Sequence, residues 1–256
     1  MFRVRRCDKA PAVQILECLR AIRKAGIIHC DLKPENVLLE TGDGTSCKVI
    51  DFGSASFENR QMYCYIQSRF YRAPEVILRH SKYTCMVDMW SLGCLAAELF
   101  LGLPLYPGVS DYDMLRRICE SVGAPGHHFL MHCKSSNIYF TTQWPSEAFA
   151  PSTALMSPAE YEAAHGQPPK VGKMYFRHVT DHAPLTLQDV ILQYPIDGSL
   201  SSEGAQMEQT RQHCFLNFLQ VCLPSWAASF PHASCRAVAS SVQCRGVPHI
   251  SFVSQC

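Results

Sequence analysis

The 256-residue chain has almost no net charge, with 23 Lys and Arg against 22 Asp and Glu. A near-neutral surface gives no case for a nucleic-acid or membrane-surface binder acting through bulk electrostatics. No apolar run approaches the roughly 18 residues that a membrane-spanning helix requires, so no membrane partner is expected. The N-terminus is basic at Arg3, Arg5 and Arg6. Asp8 and Lys9 then stand where a secretory signal would turn apolar, so no such signal is expected. The 14 cysteines include no Cys-x-x-Cys pair, which argues against a zinc knuckle or a redox dithiol. Buried free thiols in a reducing compartment, cytoplasm or nucleus, are expected instead, with no structural metal. There is no glycine before Gly26 and no internal repeat.

What is present suffices for a packed core: 47% of residues are hydrophobic and 18% charged. Ala12, Ile15, Leu19 and Ile22 recur at helical spacing and predict a helix over 11–25, stopped by Gly26. Ile27-Ile28-His29 is a short extended run. Residues 36–40 and 47–50 read as two strands about a turn at 41–45. Met86–Leu101 is apolar nearly all round, as a helix buried on most sides would be. Asp111–Val122 is amphipathic and ends near Gly123. Residues 131–175 are expected to form an irregular insert, rich in Ser, Pro, Thr and Ala. A further helix is expected over 206–220. From 220 to 256 there is no Asp, Glu or Lys, and only Arg236 and Arg245 carry charge. That tail is expected to pack poorly.

The chemistry-bearing residues fall in a fixed order. His29-Cys30-Asp31-Leu32-Lys33-Pro34-Glu35-Asn36 comes first, then Asp51-Phe52-Gly53, then Ala73-Pro74-Glu75. Asp88-Met89-Trp90-Ser91-Leu92-Gly93 follows, at the start of the apolar helix. This set resembles the catalytic loop, magnesium-binding loop and activation-segment end of the protein kinases. Phosphoryl transfer asks a protein mainly for positioning and charge neutralisation. The resemblance implies that Asp31 accepts the proton of a substrate hydroxyl and that Lys33 places a cation near the γ-phosphate of ATP. It implies Asn36 and Asp51 as hard oxygen ligands for Mg²⁺. Leu38 would form the lower wall of the adenine pocket, so that Lys33, Leu38 and Asp51 touch the nucleotide. Asp88 has a structural part, accepting backbone N–H bonds from the catalytic loop. Glu75 would pair with an arginine far downstream.

The run 61–72, Gln-Met-Tyr-Cys-Tyr-Ile-Gln-Ser-Arg-Phe-Tyr-Arg, resembles the dual-specificity tyrosine-phosphorylation-regulated kinases. So does Cys30 in place of the usual arginine. The resemblance implies autophosphorylation at Tyr65, the second tyrosine of the pair with Tyr63. Arg69 and Arg72 would be the phosphate's cationic partners.

The chain also departs from a whole kinase. Only thirty residues precede Asp31, and half of them belong to the first predicted helix. Gly42-Asp43-Gly44 has the opening spacing of a phosphate loop, but Cys47 occupies the third glycine's place. Residues 1–219 are therefore expected to be a partial kinase domain. Its fold would be the mainly α C-terminal lobe with one short β-hairpin, and the N-terminal β lobe would be missing. The expected function is ATP- and Mg²⁺-dependent phosphorylation of protein hydroxyls, with little turnover by this chain alone. The second reading is a non-catalytic remnant that binds kinase substrates or partners.

Overall fold

The computed structural model describes residues 9–40, 46–61, 65–143, 151–176 and 185–223. Helix α1 (Lys9–Lys24) buries Ile15 and Leu19 and carries Arg23 and Lys24 in its last turn, where cations complement the helix dipole. Gly26, at φ +70°, turns the chain into β1 (Ile27–Ile28). The next strands are β2 (Val37–Leu39), β3 (Cys47–Val49) and β4 (Ser56–Phe57). β2 and β3 pair antiparallel with Leu38 opposite Lys48, and β1 pairs antiparallel with β4. The turn expected at 41–45 lies outside the described residues. No sheet among the described residues has more than two strands.

Helices then dominate. α2 (Pro74–Ile77) is a single turn, and α3 (Met86–Leu101) follows. Every residue of α3 from Val87 to Ala97 is buried, as its apolar circumference demands. α4 (Asp111–Val122) starts at Ser110, whose Oγ accepts the Asp113 N–H at 3.1 Å. α1 and the closing helix both pack on α3, which makes it the axis of the core. No helix among the described residues is long and apolar enough to cross a membrane.

Among its described residues, the stretch 131–175, expected to be irregular, carries two helices and a hairpin. After α5 (His127–Leu130) come α6 (Ser136–Tyr139) and a hairpin of β5 (Phe140–Gln143) with β6 (Ser152–Leu155). α7 (Pro158–His165) completes it. The signals were local: Ser157 and Glu160 form a reciprocal cap, Pro158 opens the first turn, and Gly166 closes the helix. Ser, Pro and Ala are therefore cap and helix residues there, not loop filler. Residues 170–173 are strapped to α4. Asp113 accepts the Gly172 N–H at 3.0 Å, and Arg117 donates to the Lys173 carbonyl at 2.8 Å.

The chain closes with α8 (Leu187–Leu192) and α9 (Ser202–Cys222). α9 runs past the point where poor packing was expected. Cys222 and Leu223 are buried against α3, because both are apolar and reach Gly93. Residues 224–256 of the predicted tail lie outside the described residues. Cys18, Cys30, Cys47, Cys85, Cys94, Cys119, Cys133 and Cys222 are free thiols, whereas Cys214 is disulfide-bonded and corrects the free-thiol expectation there.

A glycine in mid-helix costs about 1 kcal/mol relative to alanine, so Gly93 needs a packing reason. A Cβ there would lie 2.9 Å from the Cys222 and Leu223 side chains. Gly93→Ala is therefore expected to destabilise the fold by about 1–3 kcal/mol despite its better helix propensity. Urea denaturation of the two chains checks this, and an unchanged or raised midpoint would show that α9 does not seat as described.

Candidate active site

The site begins at a buried carboxylate. Asp88, 2% exposed in the first turn of α3, accepts the backbone N–H of His29 at 2.7 Å and of Cys30 at 3.0 Å. Burial pushes its pKa up, and the two N–H donors pull it back. The clamp fixes Cys30 at φ +67°, a left-handed conformation costly for any residue with a Cβ. The Cys30 thiol is itself buried, and burial first and Asp88 second push its pKa to about 12. It is a small core residue and not a nucleophile.

The reversal at Cys30 turns Asp31 into a ring of donors. Asp31 Oδ1 accepts the Ser68 N–H at 3.1 Å and the Ser68 hydroxyl at 2.8 Å. Oδ2 accepts Lys33 Nζ at 2.6 Å and Asn36 Nδ2 at 3.3 Å. Burial alone would raise the Asp31 pKa, but the Lys33 and Ser68 hydrogen bonds outweigh it and hold the carboxyl below its ordinary value. Lys33 also reaches Ser68 Oγ at 3.1 Å. His29 is locked beside them. Its Nδ1 faces the Asp31 N–H at 3.3 Å, so Nε2 carries the proton that meets the Ile50 carbonyl at 3.0 Å.

Asn36 also donates from Nδ2 to the Asp31 carbonyl at 2.8 Å. With Nδ2 so committed, the amide oxygen is the atom Asn36 can offer a cation. The Ile50 N–H donates to the Asn36 carbonyl at 2.9 Å, which brings Asp51 beside this group one residue later. Asp51 is exposed at φ +63°, with Oδ1 accepting the Gly53 N–H at 3.2 Å. Among the described residues no three His, Cys, Asp or Glu side chains are placed to hold a metal alone. One amide and one carboxylate oxygen fit a Mg²⁺ ion that keeps phosphate and water ligands. Leu38 lies on β2, 52% exposed, with Leu39 and Phe52 also exposed.

A second cluster lies on the activation segment. Tyr65 and Arg72 are in direct contact, Nη1 to Oη at 2.6 Å, whereas Arg69 turns its Nη1 to the Val109 carbonyl at 3.2 Å. Tyr63 lies outside the described residues. Glu75 is 8% exposed, and no ion pair to it occurs among the described residues.

Asp31, Lys33 and Asn36 thus share one hydrogen-bonded group, and Asp51 adjoins it through the β2–β3 ladder. Tyr65 and Arg72 form a separate pair, and Arg69, whose own hydrogen bond goes to Val109, still pulls the Tyr65 pKa down through its charge. Sequence reasoning missed Ser68, Gln67 and Asp111. Gln67 donates from Nε2 to the Val87 carbonyl and Ser91 Oγ, both at 2.8 Å, and its own N–H meets the Cys30 carbonyl at 3.0 Å. The only sequence signal for Ser68 was a hydroxyl a few residues before Ala73-Pro74-Glu75, which is too common to single out.

Comparison with known proteins adds the following. A sequence model described as the protein kinase domain matches residues 5–154. A dual specificity protein kinase YAK1 homolog of Arabidopsis thaliana is 39% identical over 218 residues, 81% of this chain and 22% of that protein. The serine/threonine-protein kinase ppk15 of Schizosaccharomyces pombe is 41% identical over 82% of this chain and 37% of its own length. The human dual specificity tyrosine-phosphorylation-regulated kinase 4 is 47% identical over 51% of this chain and 25% of its own length. The chain therefore spans well under half the length of these relatives.

Glu75 gives a pH prediction. Burial pushes its carboxyl from an ordinary 4.5 to about 7 in the folded chain. A carboxyl raised on folding binds its proton more tightly folded than unfolded. Its contribution is thus fully present below the unfolded value and is lost as pH rises through the folded one. That loss is about 3 kcal/mol between roughly pH 4.5 and 7. Urea midpoints at pH 5 and pH 7.5 should fall with pH in the native chain and fall less in Glu75→Gln. Equal slopes in the two would mean that Glu75 has found an anion-stabilising partner.

Proposed function

The chain belongs to the protein kinase family, and from that premise we propose that it carries the metal- and substrate-facing half of an ATP-dependent protein kinase of the dual-specificity type. The observation behind this reading is Asp31, a carboxylate kept ionised by Lys33 and Ser68 and aligned by Asn36. In this reading Asp31 takes the hydrogen bond of a protein serine or threonine hydroxyl, in the place Ser68 Oγ now occupies on Oδ1, and accepts its proton. Lys33 holds positive charge where the transferred phosphoryl group must pass. Asn36 and Asp51 supply the hard oxygens of a Mg²⁺ site. Bound ATP supplies the phosphoryl group itself. Tyr65 is the site of self-modification, with Arg72 beside it.

The exposed apolar face of Leu38, Leu39 and Phe52 suits a covering layer that shields the nucleotide from water. We propose that the phosphate clamps come from such a lobe, which these residues do not include, and that this chain alone turns over little or nothing. Each missing clamp removes roughly 3–4 kcal/mol of transition-state stabilisation, by analogy with other preorganised contacts.

The test uses the longest natural protein that contains these residues. Transfer of labelled phosphate to a protein substrate should fall by about 10²–10⁴-fold in Asp31→Asn, the scale of losing a positioned general base. The 256-residue chain alone should show no Mg-ATP-dependent transfer. A full-length Asp31→Asn protein as active as the native one would remove the catalytic reading. The remaining reading would then be a module that binds kinase substrates without acting on them.

A further inference from the structure

Tyr65 is 45% exposed, yet its hydroxyl is engaged on two sides. It receives the Arg72 Nη1 donor at 2.6 Å and donates to Asp111 Oδ1 at 3.0 Å, with Oδ2 at 3.4 Å. The Arg72 guanidinium also lies over the Tyr65 ring, 3.9 Å from its centre. Arg72 is 7% exposed. Its Nε and Nη2 go to the carbonyls of Ile66 and Gln67, at 2.9 and 2.7 Å. Those acceptors are neutral. The formal charge of this buried guanidinium is balanced, among the described residues, by Asp111 alone, Oδ1 to Nη1 at 3.7 Å.

We propose that Asp111 occupies, in the unphosphorylated chain, the counter-ion place that a phosphate on Tyr65 would take, so that phosphorylation exchanges one anion on Arg72 for another and expels Asp111. The inference rests on the reading of Tyr65 as a phosphorylation site. Modification forms a bond from Tyr65 Oη to the γ-phosphorus of ATP as the bond to the bridging oxygen breaks. ADP leaves with that electron pair, and the phenolic proton passes to water. Tyr65 thereby loses the hydrogen it gave Asp111 and gains about two negative charges. The new anion starts within hydrogen-bond distance of the carboxylate, and like charges that close repel strongly. The phosphate, being multivalent, retains Arg72.

Asp111 is the first residue of α4. Its cap, Ser110, also donates to the Lys170 carbonyl at 2.7 Å. The exchange therefore acts where the activation segment, α4 and the 170–173 strap meet. It lets the segment assemble before any modification, because the buried cation already has an anion.

The test is a double-mutant cycle in the full chain, with phosphotyrosine installed at position 65 during translation so that no kinase activity is required. Asp111→Asn should lower the melting midpoint of the unmodified chain by about 2–4 °C, the scale of losing one such pair in a chain of this size. In the phosphotyrosine chain the same substitution should leave the midpoint unchanged or raise it. Any helix-dipole effect of losing a charge at the start of α4 is common to both backgrounds and cancels. Asp111→Glu, which keeps the charge, should behave as the native chain in both and guards against a folding artefact of the amide. Equal shifts in the two backgrounds, including no shift in either, would overturn the proposal. Absence of phosphotyrosine in the natural protein by mass spectrometry would instead remove the reading of Tyr65 and leave the measured coupling intact.

Discussion

The arrangement depends on one buried carboxylate receiving two backbone N–H groups. Asp88 takes the His29 and Cys30 amides, and without it those donors would be sealed from water with nothing to meet. The bonds also hold Cys30 in its left-handed conformation, which an isolated residue would leave at a gain of about 1–2 kcal/mol. Two charge-assisted hydrogen bonds, at roughly 1.5–3 kcal/mol each, exceed that strain. The clamp therefore wins, and the chain reverses so that Asp31 faces Lys33, Asn36 and Ser68. An ordinary loop aspartate becomes an ionised acceptor at a fixed place.

The same helix holds the opposite wall. Ser91 lies three residues after Asp88 on α3, which puts the two on one face. Ser91 Oγ meets the Gln67 amide at 2.8 Å, and Gln67 in turn meets the Ala73 N–H at 2.9 Å. Gln67 stands at φ +67°, as Cys30 does, and the two are joined by a backbone hydrogen bond of 3.0 Å. The next residues along, Asp31 and Ser68, meet through Ser68 Oγ at 2.8 Å. Catalytic loop and activation segment are therefore positioned from one turn of the buried stretch of α3. Strain appears at these residues because α3 over-determines them.

Much of this was legible in the sequence, for identifiable reasons. α3 and α4 have the predicted limits, since an all-apolar run and a Ser-capped amphipathic run are local signals. Lys33 and Asn36 were read as phosphate and metal residues, not as donors to Asp31. Lys33 and Asn36 stand at fixed short offsets from it. Ser68 is 37 residues away, and only tertiary folding brings it there. Asp111 lies 46 residues from Tyr65 and stood in the sequence only as the start of an amphipathic helix, which it also is. The order in 131–175 was hidden for a different reason. Ser, Thr and Pro there serve as caps and strand residues, and composition alone reads those types as loop. Arg69 was grouped with Arg72 by type and spacing; an extended backbone at Ser68 leads the Arg69 guanidinium to the Val109 carbonyl and Arg72 inward, and both charges act on the Tyr65 hydroxyl.

Three buried carboxylates show how far the fold compensates its charges, and where it does not. Asp113 is enclosed by Arg116 and Arg117 and by the N–H groups of Val109 and Gly172. Burial would raise its pKa, but these partners outweigh it and leave it lowered. Asp88 has two N–H donors and, among the described residues, no ion pair; these donors and the His29 charge lower its pKa, but burial still raises it. Glu75 has no ion pair among the described residues; its own backbone N–H lowers its pKa, and burial carries it to about 7. The strongest compensation thus secures the strap to α4, and the weakest lies in the short turn after the activation segment. Asp88 is intermediate in charge balance, yet it alone reaches the catalytic loop directly. The site is consequently set by hydrogen-bond geometry at Asp88 more than by total charge pairing. Weakening Glu75 would change how firmly the helices hold together before it changed where Asp31 points.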